Sequence, residues 1–386
     1  MGHLYWRADG GGNQVSVILL SSVSLRPVLL ALAIGGAAGA LCTWLGTPLP
    51  WLIGPLFACA IASARGLPVA SLPAARSAGQ WVIGTALGLF FTADVLERLA
   101  SSAGMVLAGQ LWSLAIGLSL AWALRRFAGL DGATAYFAGA IGGASEMALQ
   151  GERHGARVDM IAAAHSLRIL LVVSIMPFAF QWLDVHGSDP SERVVQVVHW
   201  WPGFALLVAC TVAGAMVLRR LKAPNPWLIG PLVVAVGLSA AGVNLSAVPG
   251  WIVSLGQVFI GIALGTRFAP GFFDRAPRVL VVVAVSTLLA IAASAGFAWL
   301  LARWSGVPWA TLALATSPGG IAEMALTAKL LELGVPMVTL FHLTRVLMLV
   351  LFGGAMYRWL APRFGWPADE VPLPVPARPP RDDENE

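Results

Sequence analysis

Apolar stretches of about twenty residues recur along the whole chain, and one such stretch spans the hydrocarbon core of a bilayer as a helix. Twelve can be read between polar, glycine or proline punctuation. The first six are 26–46, 49–65, 76–97, 102–124, 132–150 and 158–183. The second six are 197–218, 225–242, 252–272, 278–302, 309–333 and 335–360. Hydrocarbon offers no water to the backbone, so a chain of this kind is driven to helices. Composition agrees: of 386 residues 58% are apolar and 11% charged, against about 25% charged in soluble domains. That excludes a soluble enzyme, a disordered regulator and a conventional DNA-binding module. The expected fold class is an all-α polytopic membrane protein.

The two sets of six carry the same sequence blocks. Pro48-Leu49-Pro50-Trp51-Leu52-Ile53-Gly54-Pro55-Leu56 recurs as Pro224-Asn225-Pro226-Trp227-Leu228-Ile229-Gly230-Pro231-Leu232. Gly79-Gln80, Ile83-Gly84 and Ala86-Leu87-Gly88 recur as Gly256-Gln257, Ile260-Gly261 and Ala263-Leu264-Gly265. Gly142-Gly143-x-x-Glu146-Met147-Ala148-Leu149 recurs as Gly319-Gly320-x-x-Glu323-Met324-Ala325-Leu326, and His165-x-x-Arg168 as His342-x-x-Arg345. The first block is offset by 176 residues and the others by 177, which marks an internal duplication. The prolines of the first block suggest a helix start followed by an interrupted turn. The domain reading is a leader at 1–25, a membrane repeat at 26–183, a connector at 184–196, a second repeat at 197–362 and a disordered, Pro-rich and charged tail at 363–386.

Charge placement orients the repeats. With twelve crossings the Lys and Arg outside the membrane divide 12 to 10, which is no bias. If the Gly-Gly-x-x-Glu segment of each repeat is re-entrant, each repeat crosses about five times and the second is inverted. Eighteen of the 24 Lys and Arg, Arg76 and Arg267 among them, then mark the inner face, and Arg98, Arg193, Arg303 and Lys329 mark the outer one. The positive-inside rule favours this arrangement, with both termini cytoplasmic. Only Arg168 and Arg345 stand away from the ends of the membrane segments.

Ionisable groups in a membrane interior are costly and point to function. The candidate substrate- or ion-binding set is Glu146, Glu323, Arg168, Arg345, His165 and His342, with Gly142, Gly143, Gly319 and Gly320. The glycines allow a chain break, and a half-helix starting there aims free N–H groups inward. Each glutamate could pair with a cation, carry a coupling proton or cap its half-helix. The arginines suit an anionic group, and the histidines suit proton transfer. The alternative is that Glu and Arg form buried ion pairs that fix the re-entrant segments. Cys42, Cys59 and Cys210 lie in apolar stretches and read as small core residues.

These duplicated blocks resemble the AbrB-type membrane protein family over about residues 26–362. The resemblance implies a multi-pass protein of a bacterial inner (plasma) membrane. The family is often labelled ammonia monooxygenase or associated with regulation of gene expression. It also looks distantly similar to the cation/proton antiporter and anion transporter superfamily, whose members share inverted repeats. The residues lend the enzyme label no support. The histidines His3, His154, His165, His186, His199 and His342 form no His/Cys cluster, so neither metal nor other cofactor is expected. No loop is long enough for a base-reading module, so nucleic acid is not an expected partner. The function expected is secondary transport of a small solute, of the anionic class the arginines suit, by alternating access between inverted repeats. The alternative is a membrane-embedded sensor or regulator that affects gene expression without transport; a monooxygenase comes last. The expected partners are the solute and the lipid bilayer, with homo-oligomerisation left open.

Overall fold

The computed structural model describes residues 25–187 and 200–366. The expected leader before Leu25, most of the connector and the tail beyond Trp366 lie outside the described residues. The expected tail begins too early, however: Ala361–Phe364 form a 3-10 turn. Trp366 donates its N–H to Ala361 O at 2.8 Å and stacks on Phe364.

Among the described residues every regular element is helical. The first half contributes α1 (Leu25–Trp44), α2 (Pro50–Ala64), α3 (Pro73–Gly88), α4 (Ala93–Ser101), α5 (Ala103–Ala128), α6 (Gly132–Gly139), α7 (Ala144–Arg153) and α8 (Val158–Trp182). The second half contributes α9 (Trp201–Arg220), α10 (Pro226–Ala240), α11 (Gly250–Gly265), α12 (Phe272–Arg275), α13 (Pro277–Ser305), α14 (Trp309–Thr316), α15 (Ile321–Leu330) and α16 (Val335–Leu360). Six helices, α1, α5, α8, α9, α13 and α16, are long and apolar enough to cross a membrane among the described residues. The protein is therefore a polytopic, all-helical membrane protein.

Three details differ from the sequence reading. The segments 76–97 and 252–272 are not single helices. α3 ends at Gly88, and Asp94, Glu97 and Arg98 then give α4 a polar face that suits a surface position. α11 ends at Gly265, before Arg267 and Pro270. The helix α2 also runs unbroken through Pro55, and α10 through Pro231. A proline at the sixth helical position removes one ladder bond near the helix start, which packing tolerates.

The helices gather into two bundles. In the first, α1 packs on α2 and α9 on α10, while the short α2, α3, α10 and α11 form its centre. Here the halves interlock, with α2 against α11 and α3 against α10. Glycine makes this possible. The Leu228 carbonyl lies so close to Gly84 that a side chain there would strike it. A Cβ on Gly261 would lie 2.5 Å from Leu52 O, and one on Gly265 2.5 Å from Leu56 O. Thus each Pro-Trp-Leu-Ile-Gly-Pro-Leu block seats the Gly-rich block of the other half. The second bundle holds α5 to α8 and α13 to α16, again mixed, with α13 packed on both α5 and α8. α15 and α16 meet α3 across the division, while α4 and α12 lead from one bundle to the other.

Candidate functional site

Two of the expected segments fold back on themselves. α6 stops at Gly139, residues 140–143 run extended, and α7 returns beside α6. The ends are tied at one level: the Arg157 N–H donates to Thr134 Oγ1 at 2.8 Å. The second half repeats the arrangement, with α14, an extended link 317–320 and α15. There the Gly334 N–H donates to Thr311 Oγ1 at 3.4 Å. Both contacts involve positions 177 residues apart.

Each break leaves carbonyls at the end of a short helix or in the link after it without an intrahelical donor. Arginine satisfies them. Arg168 donates from Nη1 to Ala138 O at 3.3 Å and Gly139 O at 3.2 Å, and from Nη2 to Ala140 O at 3.0 Å. Arg345 donates from Nη1 to Ser317 O at 2.8 Å and from Nη2 to Gly319 O. A cation at a helix C-terminus also complements the dipole there. Each of these arginines is 3% exposed.

The histidines hold these arginines. His165 Nδ1 accepts from Arg168 Nη2 at 2.9 Å, and its Nε2–H donates to Phe137 O at 3.0 Å. His342 Nδ1 accepts from Arg345 Nη2 at 2.7 Å, and its Nε2–H donates to Leu314 O at 3.0 Å. Both ring nitrogens are thus engaged, and both side chains are fully buried. The network assigns the neutral Nε2–H tautomer. A second ring proton would face an arginine N–H, so this geometry makes the histidines fixed acceptors.

The glutamates sit at the third position of α7 and α15 and fold back over their own links. A Cβ on Gly143 would run into Glu146 Oε2, and one on Gly320 into Glu323 Oε2. A carboxylate in that place answers the free N–H groups of a helix start. Among the described residues no ion pair within 4.0 Å joins Glu146 to Arg168 or Glu323 to Arg345. Of the three roles open for the glutamates, this geometry suits the cap.

The two links meet at one cavity of about 560 Å³ between the bundles. Gly142, Gly143 and Glu146 line it from one link; Gly319, Gly320 and Glu323 line it from the other; Arg168 and Arg345 reach it from behind. His165 and His342 do not line it. The first bundle supplies the facing wall, including Arg76, Gln80, Asn225 and Arg267. Sequence reasoning missed these four. Arg76 and Arg267 were counted with the inner loops, but α3 already begins at Pro73 and Arg267 follows α11 by two residues. Duplication could not reveal them, because their matched positions are Val253 and Phe90. Gln80 and Asn225 stood within the recurring blocks and could have been read there.

Known proteins of the same kind extend along nearly the whole chain. It is 27% identical over 318 residues to a protein of Escherichia coli (strain K12) named "Putative regulator AbrB", covering 81% of this chain and 90% of the relative. It is also 27% identical over 358 residues to the "Uncharacterized protein YhjN" of Bacillus subtilis (strain 168), covering 85% and 92%. The match of residues 51–361 to the family model described as transition state regulatory protein AbrB takes in both bundles and both links, so the chain belongs to the AbrB family of membrane proteins.

Proposed function

We propose that the protein is a secondary transporter of a small solute in a bacterial inner membrane, working by alternating access about the cavity between its bundles. One observation carries this reading. Two folded-back helix pairs, one from each half, meet at one cavity lined by charged side chains, while the positions that match two of those charges are buried in apolar packing. Val253 and Phe90, which match Arg76 and Arg267, lie buried in one apolar cluster with Leu49 and Leu52. A charged cavity at one end of the paired helices with apolar packing at the matched positions is what one state of an alternating-access protein requires.

In this reading the two halves are inverted repeats and both folded-back pairs are re-entrant, giving about five crossings per half. The moving bodies are the two bundles, each built from both halves, because glycine-to-carbonyl packing locks α2 to α11 and α3 to α10. Arg168, Arg345, His165 and His342 hold the links in shape, and no chemical transformation of the solute is involved. Both termini lie in the cytoplasm.

Uptake into proteoliposomes, screened over organic acids, amines and amino acids, tests the reading. Time-dependent accumulation of one class is expected. Ligand-induced thermal stabilisation with no flux would sink it. The name of the E. coli relative favours a second reading, a ligand-binding regulator without transport, and that same result would support it. Orientation is checked by thiol labelling in a variant lacking Cys42, Cys59 and Cys210. Lys222→Cys should react only from the cytoplasmic side and Arg303→Cys only from the other. Labelling of both from one side would overturn the inverted arrangement.

A further inference from the structure

We propose that the cavity binds a small dicarboxylate, held by Arg76 and Arg267 with Gln80 and Asn225 as neutral donors beside them. This deepens the transport reading and rests on it for the solute's passage, not for its binding.

Charge is the first argument. The ionisable side chains lining the cavity are Arg76, Arg168, Arg267, Arg345, Glu146 and Glu323. Four guanidiniums face two carboxylates, an excess of two positive charges. Geometry is the second. Arg76, in the first turn of α3, and Arg267, just past the end of α11, both line this cavity, and α3 packs against α11. Yet among the described residues no ion pair within 4.0 Å engages Arg76 or Arg267. The glutamates line the cavity too, but their carboxylates fold over their own links. Two like charges held near each other on a cavity wall, with no counter-ion at contact, leave a place for an anion between them.

The approach is the third argument. A second cavity of about 560 Å³ shares Ser145, Glu146 and Asn225 with the first and is walled by Arg153, Lys222 and Arg358. A basic approach raises the local anion concentration. A planar guanidinium matches a carboxylate in two parallel hydrogen bonds, and Gln80 and Asn225 add neutral donors for its oxygens.

The full chain in detergent is titrated with succinate, with succinamide as the neutral isostere and inorganic phosphate as the competing anion. Succinate should raise the melting temperature in a saturable manner and succinamide should not. Arg76→Gln and Arg267→Gln should each weaken succinate binding by about tenfold or more. Arg76→Lys and Arg267→Lys keep the charge, should lose less, and serve if a glutamine variant does not fold. Absence of stabilisation, equal binding by the variants, or preference for phosphate would each overturn the assignment. Flux of an amine or neutral solute unaffected by Arg76→Gln would overturn this site and leave transport standing. Succinate binding lost in the variants, without flux, would leave the site standing and remove transport.

Discussion

Arg345→Met is expected to unfold the protein rather than merely empty its cavity. The side chain holds Ser317 O, Gly319 O and His342 Nδ1 in a fully buried place. Methionine fills similar volume but donates nothing. Two carbonyls and a ring nitrogen would then lack partners, at about 1–3 kcal/mol each. A loss of about 3 kcal/mol or more is a large share of the roughly 5–15 kcal/mol that holds a typical domain. Arg345→Lys should rescue little, because one ammonium cannot fork to the same three acceptors. Arg168→Met should behave likewise, since Arg168 holds Ala138 O, Gly139 O, Ala140 O and His165. Thermal unfolding in detergent, followed by tryptophan fluorescence, reads the effect. An Arg345→Met protein that melts like the parent but binds no solute would return this arginine to the role of ligand contact.

Gly84→Ala and Gly261→Ala should destabilise, against the usual sign of such a change. Within a helix, alanine is favoured over glycine by about 1 kcal/mol. Here the added carbon meets backbone, which cannot swing aside: Leu228 O at Gly84, and Leu52 O 2.5 Å from the Cβ at Gly261. Overpacking of this kind costs about 1–3 kcal/mol, so the net effect should be a lowered melting temperature at both positions. Gly296 in α13 is the control, because nothing lies within 4 Å of its Cβ position. Gly296→Ala should leave stability unchanged or raise it. If all three substitutions shift the melting temperature alike, the interlock of α2 with α11 and α3 with α10 is not as close as described.

Helix placement was legible because bilayer length and apolar runs are local properties of a chain. The boundaries of α1, α5, α8, α13 and α16 follow the apolar segments within a few residues. The links at 140–143 and 317–320 were legible as breaks because Gly-Gly stands before a glutamate in each. The ends of α3 and α11 were not, because Leu89 to Phe91 and Phe268 stay apolar past the point where the helix stops. The roles of the charged residues were the least legible. Scarcity marked Arg168 and Arg345 as important, but a side chain's partners depend on which backbone groups come to lie beside it.

By itself, the sequence determined an all-helical membrane protein with broken segments, because hydrocarbon forces the backbone to bond within each helix. It also determined the family, through blocks that recur in order. The tertiary structure alone decided which charges serve which purpose. It set Arg168 on the carbonyls that end α6 and Arg345 on those of the link after α14, with the histidines behind them. It brought Arg76 and Arg267, unmatched in the other half, to face both links across one cavity. Electrostatic and hydrogen-bond partners are chosen by distance in space, and 191 residues of chain separate two guanidiniums that the fold places on one wall.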